Sequence, residues 1–284
     1  MDLAAELANR VVVLDGGLAT ELERRGADLS SSLWSAQLLR DDPGEIVEAH
    51  RAFVEAGAEV VTSASYQASF EGLGDEAEQL MRLSVRLARE SGPRWVAASV
   101  GPYGAVRADG SEYRGDYGLS VTELRLWHRR RLAALADAGA DVLAVETLPC
   151  LAEVEAVCAE LSTLGVPAWV SVTCAGERTR AGEPADEAFA LAAECAPVIA
   201  VGINCTEPAD VPALVAGAAQ HGKPVVVYPN SGEAWDARAR QWVGPGRFSP
   251  DSVLGWADAG ARLVGGCCRV RPEDIAAIAG LVRA

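Results

Sequence analysis

Three cysteines stand where apolar, strand-like runs end. Cys205 closes VIAVGINC, and the adjacent pair Cys267 and Cys268 follows Gly265 and Gly266 in RLVGGCC. Thiolates are soft ligands that select Zn2+ over Mg2+ or Mn2+, and three protein ligands with one open position is zinc's catalytic rather than structural pattern. Spacing alone leaves the matter open, because cysteine also serves as a small buried hydrophobe. Cys150, Cys158 and Cys195, in or beside helical segments, read that way, and Cys174 stays ambiguous. Successive side chains on a strand point to opposite faces, so Cys267 and Cys268 could share one ion only where the backbone bends. The two glycines before them permit such a bend and a close approach.

Other chemistries lack their residues. The only lysine, Lys223, precedes a strand, which argues against Schiff-base and pyridoxal enzymes. His50, His128 and His221 fall in or just after helical segments, so a histidine-rich metal cluster has no ligands. Strand-like runs end instead on Asp15, Ser63, Glu146, Thr173 and Cys174, and Asn230 ends another.

Eight strand-then-helix units must position these groups. Buried-strand patterns cover about 11–17, 59–65, 95–101, 141–148, 168–174, 198–205, 224–230 and 262–268. Helical patterns follow at about 43–57, 75–91, 120–138, 151–164, 185–195, 211–221, 250–259 and 272–282, the third opened by the capping signal Ser120-x-x-Glu123. Eight such units indicate a parallel sheet closed into a single (β/α)8 TIM barrel, the whole of 1–284 being one α/β domain. An open doubly wound sheet is the alternative, but its GxGxxG fingerprint is missing from the first turn, DGGLAT. The longer inserts follow strands one, three and seven, on the face where barrel active sites are built.

A formal charge of −15 opposes extended contact with nucleic-acid phosphates. It favours small cationic ligands, or serves solubility alone. No apolar run approaches the roughly 20 residues that span a bilayer, and MDLAAELANR is no secretory signal, so a cytoplasmic protein is expected. Seven cysteines, an odd number, do not suggest a disulfide framework.

The segments DGGLATEL, TSASYQASF, SVGPYGA, EYRGDYG, ETLP, GINC, VVYPNSGE and GGCCRV, in this order from Val11 to Pro272, closely resemble the zinc-dependent homocysteine S-methyltransferases. The resemblance is to the branch that uses S-methylmethionine or S-adenosylmethionine as methyl donor. It implies Zn2+ held by Cys205, Cys267 and Cys268, with Asn230 similar to a residue that fills the fourth position in related enzymes. It implies homocysteine bound by Asp15, Gly16, Gly17 and Glu146, and a pocket overlaid by the loop of Trp34. Asp15 could equally cap its turn, and Glu146 could pair with an arginine.

The chemistry agrees with that implication. A free thiol is mostly protonated at neutral pH, whereas coordination to Zn2+ removes the proton, so a zinc-bound homocysteine thiolate could attack a sulfonium methyl and give methionine. Trp34, Tyr66, Tyr103, Tyr113, Tyr117 and Trp235 are the rings that could face the sulfonium, Trp34 first among them. Two other readings stand beside this one: a methyltransferase for another thiol or selenol such as selenocysteine, and a non-catalytic zinc or redox-sensing barrel with a vicinal Cys267–Cys268 disulfide. Donor and oligomeric state are not written in residues the sequence lets one decode.

Overall fold

The computed structural model describes residues 2–29, 35–107, 109–236 and 241–283. Eight parallel strands form one sheet: β1 Val12–Val13, β2 Val60–Thr62, β3 Trp95–Val100, β4 Val142–Leu148, β5 Ala168–Val172, β6 Val198–Asn204, β7 Val225–Tyr228 and β8 Ala261–Val264. Neighbours in sequence are neighbours in space, β8 pairs with β1, and a parallel bridge between Leu14 and Val60 closes the ring. The expected barrel is therefore the observed one.

The strands are shorter than their apolar runs, because ladder pairing stops before burial does. β8 is assigned only to Val264, yet Gly265 N–H donates to Val227 O at 3.0 Å and Gly266 N–H to Asp15 O at 3.0 Å. The backbone thus stays locked to both neighbouring strands as it approaches the cysteines.

Alternation along each strand divides the core in two. Val12, Leu14, Val60, Ala97, Ala144, Trp169, Val226 and Leu263 fill the barrel, and Leu3 and Leu7 of the short N-terminal helix Leu3–Leu7 plug its lower end. The sequence shows this helix only as a leader; its apolar pair packs inside. Val13, Val61, Val96, Val145, Val170 and Val201 face outward against the helices, as do Ile46, Leu132 and Leu161 from the helical side.

A main helix follows each strand, Pro43–Glu55, Ala77–Glu90, Val121–Ala136, Leu151–Leu164, Ala185–Glu194, Val211–Ala218, Ser252–Asp258 and Pro272–Arg283, with the shorter helices Leu18–Arg24, Ser35–Asp41, Phe70–Leu73 and Tyr103–Arg107 in the first three loops. The main helix after β3 begins at a complete capping box in which Ser120 and Glu123 satisfy each other's amides. Two small hairpins lie outside the barrel, Cys174–Ala175 with Arg178–Thr179 and Ala234–Asp236 with Gln241–Val243. Among the described residues no helix is long and apolar enough to cross a membrane.

Candidate metal centre and substrate pocket

The sulfurs of Cys205, Cys267 and Cys268 lie within 4.8 Å of one another at the C-terminal mouth of the barrel. No other group of three His, Cys, Asp or Glu side chains converges in this way among the described residues. Cys205 follows β6 in a left-handed conformation, φ 49°, a strained backbone for a side chain other than glycine. It is held there from both sides: its N–H donates to Tyr228 O at 3.2 Å, and Thr173 Oγ1 donates to its carbonyl at 3.1 Å.

The GGCC turn is positioned just as tightly. Cys267 N–H donates to Pro229 O at 2.7 Å, Cys268 N–H to Asn230 Oδ1 at 3.2 Å, and Cys268 O accepts from Ser231 N–H at 2.9 Å. Neither Gly265 nor Gly266 is left-handed. Glycine is needed for closeness instead: a Cβ on Gly265 would sit 2.5 Å from Asp15 O, and one on Gly266 would enter the Val270 side chain. The positive φ that reverses the chain belongs to Arg269, at 67°, with its N–H bonded to Thr20 Oγ1 at 2.9 Å.

Cys205 and Cys267 are adjacent, with Cα atoms 5.6 Å apart, and Cys268 completes the cluster. Burial pushes the Cys268 thiol up to about 11, with the negative charges of Glu23, Glu146 and Glu112 adding to it. A cation is what such a cluster lacks. Three soft, convergent sulfur donors fit a zinc ion with one position left over.

Two buried acids face this mouth from other strands. Asp15, 2% exposed, accepts from Thr62 N–H at 2.7 Å and from Thr62 Oγ1, and burial pushes its carboxyl up to about 8. Glu146 accepts from Ser99 Oγ and from Tyr228 OH, the latter at 2.9 Å, and burial raises it too. Neither acid forms an ion pair with an arginine or lysine among the described residues, so both would gain from an incoming ammonium group. Asp15 does not merely cap its own turn; its carboxylate reaches across to β2. Gly16 and Gly17 are required by packing, since Cβ atoms there would lie 2.7 Å from Val270 O and 2.6 Å from Cys267 O. Gly17 N–H is already spent on Val270 O at 3.0 Å.

Several supports of this site were not singled out from the sequence. Asn204 Oδ1 accepts from Thr147 N–H at 2.7 Å and its Nδ2 donates to Thr147 Oγ1 at 2.7 Å, holding Thr147 at φ 62° directly after Glu146. Thr62, Ser99 and Tyr228 orient the two acids, and Trp169 Nε1 donates to Tyr228 OH at 2.9 Å. A hydroxyl at or next to the last position of a buried strand was the available signal.

Of the rings proposed for a cationic donor, Tyr103 and Tyr117 pack edge-on at 5.2 Å, and Tyr103 packs likewise on Trp127. Tyr66 is clamped against Gly101. Tyr113, 38% exposed, lies within electrostatic reach of Cys268. Trp34 lies outside the described residues, as does the side chain of Trp235.

A family model for homocysteine S-methyltransferase matches residues 12–282. The chain belongs to the homocysteine S-methyltransferase family. Homocysteine S-methyltransferase 4 of Zea mays is 45% identical, covering 97% of this chain and 90% of its own. The selenocysteine Se-methyltransferase of Brassica oleracea is 43% identical, over 94% and 87%. The crystal structure of the Escherichia coli homocysteine methyltransferase MmuM in its metallated form superposes with a TM-score of 0.85 at 41% identity, covering 98% of each chain. This chain is thus an enzyme of that family, built on a TIM barrel.

Proposed function

We propose that this methyltransferase moves a methyl group from a sulfonium donor, S-methylmethionine or S-adenosylmethionine, to homocysteine, with Zn2+ at Cys205, Cys267 and Cys268. The observation that carries the reading is the convergence of three sulfurs beside two buried, unpaired carboxyls. Bound there, zinc would act as a Lewis acid that lets the acceptor thiol react as thiolate near neutral pH.

The remaining work falls to the chain. Asp15 and Glu146 take the acceptor's ammonium, which offsets the burial of both carboxyls. The rigid strand ends around Thr147 and Cys205 hold the acceptor's two ends at fixed separation. The acceptor sulfur attacks the donor methyl carbon in line. The new S–C bond forms as the old one breaks, and its electron pair returns to the donor sulfur as a neutral thioether. No proton moves in that step, which agrees with a mouth that presents no histidine among the described residues; His50 and His128 are buried in helices and His221 pairs with Asp186.

The test is methionine formation by zinc-loaded, reduced protein from homocysteine with each donor in turn. No product with either donor sinks the proposal. Selenocysteine belongs in the same assay as acceptor, because the Brassica relative carries that activity in its name. In parallel, Cys205→Ser is expected to lose stoichiometric zinc while keeping its far-ultraviolet circular dichroism; full zinc retention would remove Cys205 from the ligand set.

A further inference from the structure

The loop after β5 carries a guanidinium that nothing in the site accounts for. Arg180 follows the hairpin strand Arg178–Thr179, and its Nε donates to Thr173 Oγ1 at 3.3 Å, the same hydroxyl that holds the Cys205 carbonyl. Its guanidinium carbon lies 5.5 Å from the centre of the Tyr113 ring, and Tyr113 in turn is within electrostatic reach of Cys268. Arg180 therefore shares Thr173 with the backbone of Cys205.

It also stands without a counter-charge. Several other arginines on the mouth loops are matched to carboxylates: Arg107 with Asp109 and Arg114 with Asp116 at 3.2 Å, Arg247 with Glu207 at 2.9 Å, Arg269 with Glu233 at 3.1 Å; Arg178, by contrast, is exposed and bonds to Gly182 O at 2.7 Å. Arg180 has no ion pair among the described residues, in a chain of formal charge −15. A partly buried guanidinium with fork geometry and no partner suits a carboxylate.

Its position is fixed by neighbouring loops. Ala181 N–H donates to Pro149 O at 3.0 Å, and Gly115, at φ 71°, packs against Ala181, Cys150 and Pro149 too closely to carry a side chain. The loops after β3, β4 and β5 thus interlock and hold Arg180 across from Tyr113.

We propose that Arg180 binds the α-carboxylate of the amino-acid sulfonium that donates the methyl group. This rests on the methyl-transfer reading above. The acceptor's ammonium is drawn to Asp15 and Glu146, deep in the barrel and 2% and 7% exposed, whereas Arg180 lies on the outer loop layer. A second amino acid entering after the acceptor meets Arg180 first. Its sulfonium then lies toward the sulfur cluster, separated from its carboxylate by a short alkyl chain.

The experiment compares S-methylmethionine with a propyl donor, the (3-aminopropyl)dimethylsulfonium ion, which keeps the sulfonium and the ammonium and lacks the carboxylate, in wild type, Arg180→Gln and Arg180→Lys. Losing a charge-assisted pair should raise the KM for S-methylmethionine in Arg180→Gln by roughly 10- to 100-fold. The KM for homocysteine and the rate with the propyl donor should not move, and Arg180→Lys should recover part of the loss. An equal loss with both donors, no loss with S-methylmethionine, or a raised homocysteine KM overturns the assignment. Calorimetric titration with S-methylmethionine probes the same contact without turnover: equal affinity for wild type and Arg180→Gln overturns it, as does no binding to wild type. Methyl transfer from the propyl donor alone would sink this inference and leave the methyltransferase reading standing. Arg180-dependent binding without any methyl transfer would do the reverse.

Discussion

Asn230 Oδ1 accepts a hydrogen bond from the Cys268 amide at 3.2 Å, so the amide side chain after β7 sets the orientation of a sulfur after β8. A residue expected to offer itself to the metal is engaged with the backbone of a neighbouring ligand. Outer partners of this kind commonly govern metal affinity by about 10- to 100-fold. Asn230→Ala should therefore weaken zinc by about that factor in a chelator competition, with the thermal midpoint of the metal-free protein little changed. Unaltered competition would show that Cys268 is held by its flanking bonds alone.

Asn204 and Thr147 make a second such pair. Asn204 is 1% exposed, and its side chain accepts from Thr147 N–H and Ser171 Oγ while donating to Thr147 Oγ1. Asn204→Ala strands buried donors and releases a strained left-handed residue, at a cost of about 1–3 kcal/mol in urea unfolding. Because Thr147 follows Glu146, the KM for homocysteine should rise in the same variant, while the KM for the donor should stay put. A stability loss with unchanged homocysteine KM would separate Asn204 from the acceptor pocket.

These two pairs show what the sequence could and could not disclose. Period and turn signals place the eight units, because a buried parallel strand is a continuous apolar run whatever it pairs with. The three cysteines are legible for the same reason, each lying just past the end of such a run. The supports are not legible. Asn204, Thr62, Ser99 and Tyr228 sit inside runs read as strand, and their meaning lies in contacts with residues 47 to 82 positions away, such as Thr62 with Asp15 and Tyr228 with Glu146. Arg180 is hidden more thoroughly: its significance is a missing partner, which only the folded neighbourhood reveals.

The Gly265 backbone lies so close to β1 that a methyl group there would meet Asp15 O at 2.5 Å and Leu14 O at 2.9 Å. Backbone atoms cannot rotate out of the way as a side-chain tip can, so Gly265→Ala must push β8 from β1. Overpacking of this kind costs about 1–3 kcal/mol. The displaced segment carries Cys267 and Cys268 and is tied to Asp15 O by the Gly266 N–H, so Gly265→Ala should lose zinc affinity and stability together, read by chelator competition and urea unfolding. Gly255→Ala, where a methyl group in the helix Ser252–Asp258 would meet open space, is the control: it should leave zinc affinity unchanged and should not lower stability.

His50 supplies the acid limb of stability. It is 0% exposed in the helix Pro43–Glu55, and neither ring nitrogen has a hydrogen-bond partner. Burial alone moves its pKa from 6.5 to about 4. The folded state therefore binds this proton less readily than the unfolded chain. Above pH 6.5 both states leave the ring neutral and the group contributes nothing to pH dependence. As the pH falls toward 4 the unfolded chain takes the proton first, and about 3 kcal/mol of stability is lost. His50→Leu, which keeps an apolar side chain in the cavity without a titrating ring, should flatten that decline by about the same amount. The measurement is urea unfolding of reduced, metal-free protein at about pH 7.5, above the window in which the ring titrates, and at about pH 4.5, near its lower end. Equal declines in wild type and variant would assign the acid sensitivity to other groups, His128 first among them, since burial lowers its pKa too.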